Sequence, residues 1–86
     1  MSKTYRLEKP IKYGDDELTE LTIEEPNAGQ IAELGYPFDM KSNIIPKVVL
    51  DYLTKLTALP PSTIKQLSAR DFMQLSGVVV SFFGSL

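Results

Sequence analysis

The sequence predicts an α+β fold: an N-terminal two-stranded antiparallel β-hairpin followed by three to four short helices in a compact bundle. Three observations carry that reading. Apolar and polar residues alternate on either side of a glycine-led turn within 4–25. An apolar stripe at the helical period runs from 44 to 56. Prolines and capping residues punctuate 57–71 where helices begin and end. The 86 residues are expected to form one domain, with the hairpin in 1–25 and the helical part in 26–86. A chain of this size buries only about 60–65% of its unfolded surface, so each large apolar side chain either serves the core or needs another explanation.

In the first strand Tyr5, Leu7, Ile11 and Tyr13 share odd positions, with Thr4, Arg6, Glu8 and Lys12 between them. Pro10 interrupts this run, which suits an edge strand or a bulge. The cluster "YGDDE" reads as a turn with a loop of about four residues. Beyond it Thr19, Leu21 and Ile23 alternate against Glu20, Thr22 and Glu24, and Leu18 stands out of phase, a further sign of a bulge. An isolated hairpin is barely stable in water, so its apolar face must lie on something.

Pro26 ends the second strand. "NAGQIAELG" then specifies a short helix, with Asn27 as N-cap, Gln30 as its reciprocal partner and Gly35 as the stop. Residues 36–43, "YPFDMKSN", have no period and read as a loop, although Tyr36, Phe38 and Met40 are large enough to pack part of it down. The next helix carries Ile44, Ile45, Val48, Val49, Tyr52, Leu53 and Leu56 on one face and Lys47, Asp51 and Lys55 on the other. Pro46 fits its first turn. Asp51 and Lys55 are spaced as an i,i+4 pair worth about 0.2–0.5 kcal/mol.

Leu59-Pro60-Pro61 stops that helix and starts a short third one, "STIKQL", with Ile64 and Leu67 inward. Ser68 caps a fourth, with Asp71 at the reciprocal position of a capping box. The stretch 56–75 is therefore a corner that sets the angles between helices. On the fourth helix Phe72, Leu75, Val79 and Phe82 or Phe83 make one stripe. Met73, Gly77 and Val80 make a second, with Gly77 admitting close approach of another backbone. Residues 78–83, "VVVSFF", are apolar nearly all round. Three successive valines also suit a strand, but the upstream cap and the spacing of Phe72, Leu75 and Val79 favour helix.

The chain contains no histidine and no cysteine, which removes the commonest general base, the commonest metal ligand, any thiol nucleophile and any disulfide. Asp15-Asp16-Glu17 lacks the spacing of a calcium loop and reads as a solvated turn. The serines have no activating partner, and the glycines form no phosphate-binding loop. Catalysis, a cofactor and a metal are therefore not expected. Residues 1–25 hold four basic and seven acidic side chains and residues 26–86 five and four, so neither part has the dense basic patch that nucleic acid needs. "MSKTYRLEK" lacks the apolar core of a signal peptide, and the charge-free run 72–86 is too short to span a bilayer. A cytosolic protein is the simplest expectation.

One feature has functional content: the C-terminal surplus of apolar residues. The bland reading is that "GVVVSFFGSL" plugs the core against the hairpin. The sharper one is that Phe72, Met73, Val78, Phe82 and Phe83, with Leu86 beside them, leave an apolar face for a partner helix or groove. Met73 would adapt to more than one surface.

The chain also resembles a known family, the small tail assembly chaperones of Mu-like, contractile-tailed bacteriophages. The resemblance rests on "LEKPIKYGDDELTELTIEEPNAGQI" and "LTKLTALPPSTIKQLSARDFMQLSGVVVSFF". These hold, in order, a Leu-x-x-Pro-Ile strand, a polar turn, a Leu-Thr strand, a Pro-x-Ala-Gly helix start, a Leu-Pro corner, an Asp-aromatic pair and a terminal aromatic pair. Ala58 stands where the family's corner has glycine. The resemblance implies a non-enzymatic chaperone in the host bacterial cytoplasm. Such a protein would coat the tape measure protein, keep it soluble and help recruit tail tube subunits. It would have no membrane or nucleic-acid partner, and repeated copies could associate along an extended partner. A longer frameshifted product is common among such chaperones, and where one exists this chain would be its short counterpart. A small regulatory, nucleic-acid-associated or antitoxin-like module is the alternative, and it would need a basic stripe.

Overall fold

The structure, a computed structural model, describes residues 2–84. Its elements in chain order are β1 (Ser2–Tyr13), β2 (Asp16–Glu24), α1 (Ala28–Leu34), α2 (Pro46–Thr57), α3 (Pro61–Ile64) and α4 (Ala69–Ser81). The α+β architecture read from the sequence is the one observed, with a two-stranded antiparallel sheet followed by four helices.

The hairpin is tighter than expected. Tyr13 pairs with Asp16, so Gly14 and Asp15 alone make the turn, and Gly14 takes φ +62 at the first central position, where a two-residue hairpin turn requires glycine. The register then breaks between the Arg6–Glu20 pair and the Ile11–Leu18 pair. The extra residues, Leu7 to Pro10, lie on β1, which bulges and turns both Leu7 and Ile11 into the core. Pro10 sits in that bulge and the out-of-phase Leu18 sits opposite its end, so both sequence signals marked one irregularity. Tyr13, expected on the inner face, is exposed at the hairpin tip.

Asn27 and Gln30 form the full reciprocal cap of α1, and Gly35 ends that helix at φ +82. α2 begins two residues later than its apolar stripe suggested. Ile45 is its N-cap, and Ile44 pairs instead with Phe38 in an isolated antiparallel bridge. The expected Asp51–Lys55 pair does not form: Asp51 bonds Lys47 at 3.2 Å, and Lys55 reaches Glu33 on α1 at 3.4 Å. Ala58 closes α2 in the left-handed region (φ 60, ψ 24), a position that favours glycine.

Leu7, Ile11, Leu21 and Ile23 of the hairpin, Val49, Tyr52, Leu53 and Leu56 of α2, Ile64 of α3 and Leu75 and Val79 of α4 form one buried cluster. The radius of gyration, 12.4 Å, agrees with the about 12 Å of a compact chain of this length.

The hairpin is fastened to the helices through β1. Asp71 is fully buried, and its carboxylate accepts the Glu8 amide at 3.0 Å, the Lys9 amide at 3.1 Å and the Tyr5 hydroxyl at 3.0 Å. The bulge frees those two amides from the ladder, and the first turn of α4 supplies their acceptor. Ser68 accepts the Asp71 amide as predicted, but the carboxylate does not accept the Ser68 main-chain amide; half of the expected capping box is given up to dock the hairpin. Four residues along β1, the Gln66 side chain accepts the Lys12 amide at 2.8 Å and donates to its carbonyl at 2.7 Å, imitating a neighbouring strand.

Candidate functional site

The apolar surplus resides on α4 and the segment it packs against. From Phe72 to Gly84 there is no charged residue. Asp71, Leu75, Ser76 and Val79 face inward at helical spacing and are buried. The opposite stripe, Met73, Gly77 and Val80, runs i, i+4, i+7 along the outer face. Met73 is 72% exposed, a side chain at Gly77 would meet open space, and Val80 is half-buried. The close helix approach expected at Gly77 is not made within the described residues.

The two terminal aromatic rings take different tasks. Phe82 turns toward β1, where the Lys3 ammonium lies 5.1 Å from its centroid and also donates to Ser81 Oγ at 2.6 Å. Phe83 is the centre of an aromatic group: its ring lies 5.6 Å from Tyr52, 5.7 Å from Phe38 and 6.0 Å from Tyr36, each edge to face. The Tyr52 hydroxyl in turn donates to the Gly35 carbonyl. Both phenylalanines are half-buried, as are Phe72 and Val78, while Val79 alone of the three valines is sealed inside. Thus the five sequence-predicted residues lie on one helix and its continuation but not on one free face. Met73 is open, and the other four each divide their surface between core and solvent. Leu86 lies outside the described residues.

The segment 36–44 contributes what the sequence reading assigned elsewhere. The Asp39 carboxylate accepts the Lys41 amide at 2.8 Å and the Asn43 amide at 2.9 Å, and Ser42 adopts φ 65. The Asn43 bond first, and that of Lys41, hold the Asp39 carboxyl below its ordinary range against the opposing effect of desolvation. This turn and the Phe38–Ile44 bridge set Phe38, Ser42 and Ile44 against Val80, Phe83 and Gly84, enclosing an apolar groove of about 220 Å³. Ile44 is 41% exposed and Met40 lies wholly in solvent at the loop tip. Phe38, Ile44 and Val80 were absent from the predicted face. A signal for Ile44 was present: Pro46 at the start of a helix places residue 44 ahead of it. A wider depression of about 670 Å³ between the end of α1 and the 58–61 corner is lined by Leu34, Leu50, Leu59, Pro60 and Pro61, and it differs from the α4 groove in carrying the charged side chains of Glu33, Asp51 and Lys55.

The arrangement offers contact chemistry. Among the described residues no cluster of acidic side chains is placed to hold a metal ion, and no helix is long and apolar enough to cross a membrane. The groove lined by Phe38, Ile44, Val80 and Phe83 can receive an apolar ridge, Met73 lies two turns before Val80 on the same helix face, and the uncharged 72–84 segment imposes no electrostatic selection there. A family model described as phage tail assembly chaperone proteins, E, or 41 or 14 matches residues 4–84. Comparisons with curated proteins and with solved structures found no match.

Proposed function

Since the chain belongs to the phage tail assembly chaperone family, we propose that its client is the tape measure protein, held through the outer face of α4 and the groove beside it. In this reading the chaperone keeps that long protein soluble in the host cytoplasm and helps recruit tail tube subunits to it. Met73 supplies the free part of the contact. The exposed sides of Phe72, Val78, Phe82 and Phe83 extend it, and Phe38, Ile44 and Val80 frame it. The single observation that supports this assignment is the uncharged outer stripe of α4 running into an apolar groove on a chain of this family. A long helical client exposes apolar ridges that aggregate when bare, and a shallow, half-buried acceptor binds such ridges reversibly. The family assignment supports a chaperone role without catalysis. The nucleic-acid-associated alternative is disfavoured by charge, since the exposed side chains of β2 include Asp16, Glu17, Glu20 and Glu24, which repel phosphate.

The test is co-expression with the tape measure protein. Wild-type chain is expected to raise its soluble fraction, and Met73→Asp with Val80→Asp is expected to abolish the gain while the chaperone stays folded. Equal solubility with and without the wild-type chain contradicts the assignment.

A further inference from the structure

The two edges of the hairpin are treated differently. On β1 outward main-chain groups from the bulge onward are engaged: Glu8 and Lys9 donate to Asp71, and Lys12 exchanges two bonds with Gln66. No described residue outside the hairpin hydrogen-bonds to the main chain of β2. Because Lys12 gives both its groups to Gln66, the Lys12–Glu17 pair is the non-hydrogen-bonded kind, so the Glu17 N–H and C=O face the open side. β2 is nine residues long, contains no proline and is exposed at six of its positions. Such an edge is a template for another strand unless its chemistry forbids pairing.

Charge decides which strand it admits. β2 carries Asp16, Glu17, Glu20 and Glu24 and no basic residue, and none of these acids is in an ion pair among the described residues. A second β2 laid alongside would set acid against acid, which destabilises a cross-strand pair. The strand already on the inner edge shows the matching chemistry: β1 bears Lys3, Arg6, Lys9 and Lys12, with Arg6 opposite Glu20 and Lys12 opposite Glu17. We propose that the free edge of β2 accepts an extended, lysine- or arginine-bearing segment of a partner protein by strand addition, on a surface separate from the α4 face. Addition converts a two-stranded ribbon into a three-stranded sheet, and the acids hold self-pairing off until the basic strand arrives.

The experiment titrates the isotopically labelled full chain with a short peptide of alternating lysine and valine. A control peptide of equal charge has proline in place of valine and cannot pair. The alternating peptide is expected to shift and protect the amides of β2, and the control to leave them unprotected. Glu20→Gln with Glu24→Gln, both exposed positions, is expected to weaken binding about fivefold while leaving the melting temperature within a few degrees. Equal binding of the two peptides would reduce the effect to bulk charge and overturn the proposal. So would protection centred on α4, or concentration-dependent protection of β2 in the chain alone, which would give the edge to a second copy.

Discussion

Replacing Asp71 by alanine tests how the hairpin is held. The wild-type carboxylate is wholly buried and accepts two main-chain amides and one phenol at 3.0–3.1 Å. Alanine keeps the Ser68 cap on its own amide but leaves the Glu8 and Lys9 amides without an acceptor. A buried donor left unpaired costs about 1–3 kcal/mol. Glu8 and Lys9 are exposed residues that water can partly resatisfy, so the lower end applies to each, and the sum is about 2–4 kcal/mol. For 86 residues total stability is about 4–13 kcal/mol, and each kcal/mol shifts the melting temperature by about 4–8 °C. Calorimetry should therefore show a fall of about 8–32 °C. Burial raises the carboxyl pKa, but the bonds from Glu8, Lys9, Tyr5 and Ser68 outweigh it and hold the pKa below its ordinary range. The folded pKa is thus below the unfolded one. The stabilisation is complete above the unfolded carboxylate range, near about 3.9, and is lost as pH falls through the folded value. Asp71→Asn should then differ most from wild type above about pH 5 and converge on it in acid. A loss under about 1 kcal/mol for the alanine variant, or a pH-independent gap for the asparagine one, would refute the latch.

Other substitutions probe other links. Ala58→Gly removes the Cβ from a left-handed residue. It should raise stability by about 0.5–1 kcal/mol in urea unfolding, the strain relieved exceeding the added freedom of the unfolded chain. Phe83→Ala removes the ring shared by Tyr36, Phe38 and Tyr52; being half-buried, it should cost about 1.5–3 kcal/mol and loosen the 36–44 segment in hydrogen exchange. Met73→Ser, on an open side chain, should change stability by less than about 0.5 kcal/mol while reducing client solubilisation.

Much of the fold was legible because local chemistry and global packing agreed. The Asn27–Gln30 box, the Gly35 stop, the Pro46 and Pro61 first turns and the stripe through Val49, Leu53 and Leu56 each carry a short-range signal, and each appears as read. What escaped depends on distant partners. Asp71 has the spacing of a cap, and its turn toward Glu8 and Lys9 follows from a bulge more than sixty residues away in sequence. Asp51 chose Lys47 over Lys55 because Glu33 on α1 draws the latter away. The apolar surplus of α4 was read from its helix, but the groove beside it was not. Phe38 and Ile44 join it through a bridge between residues that have no period, and half-burial of Phe82 and Phe83 arises from Lys3 and Tyr52, neither near them in the chain.

Hydrogen exchange on the chaperone bound to the tape measure protein addresses the client-binding face most directly. Slowed exchange in 73–83 and 36–44, relative to the free chain, is the outcome required. An unchanged α4 and loop in a complex that nevertheless forms would place the client elsewhere and contradict the account.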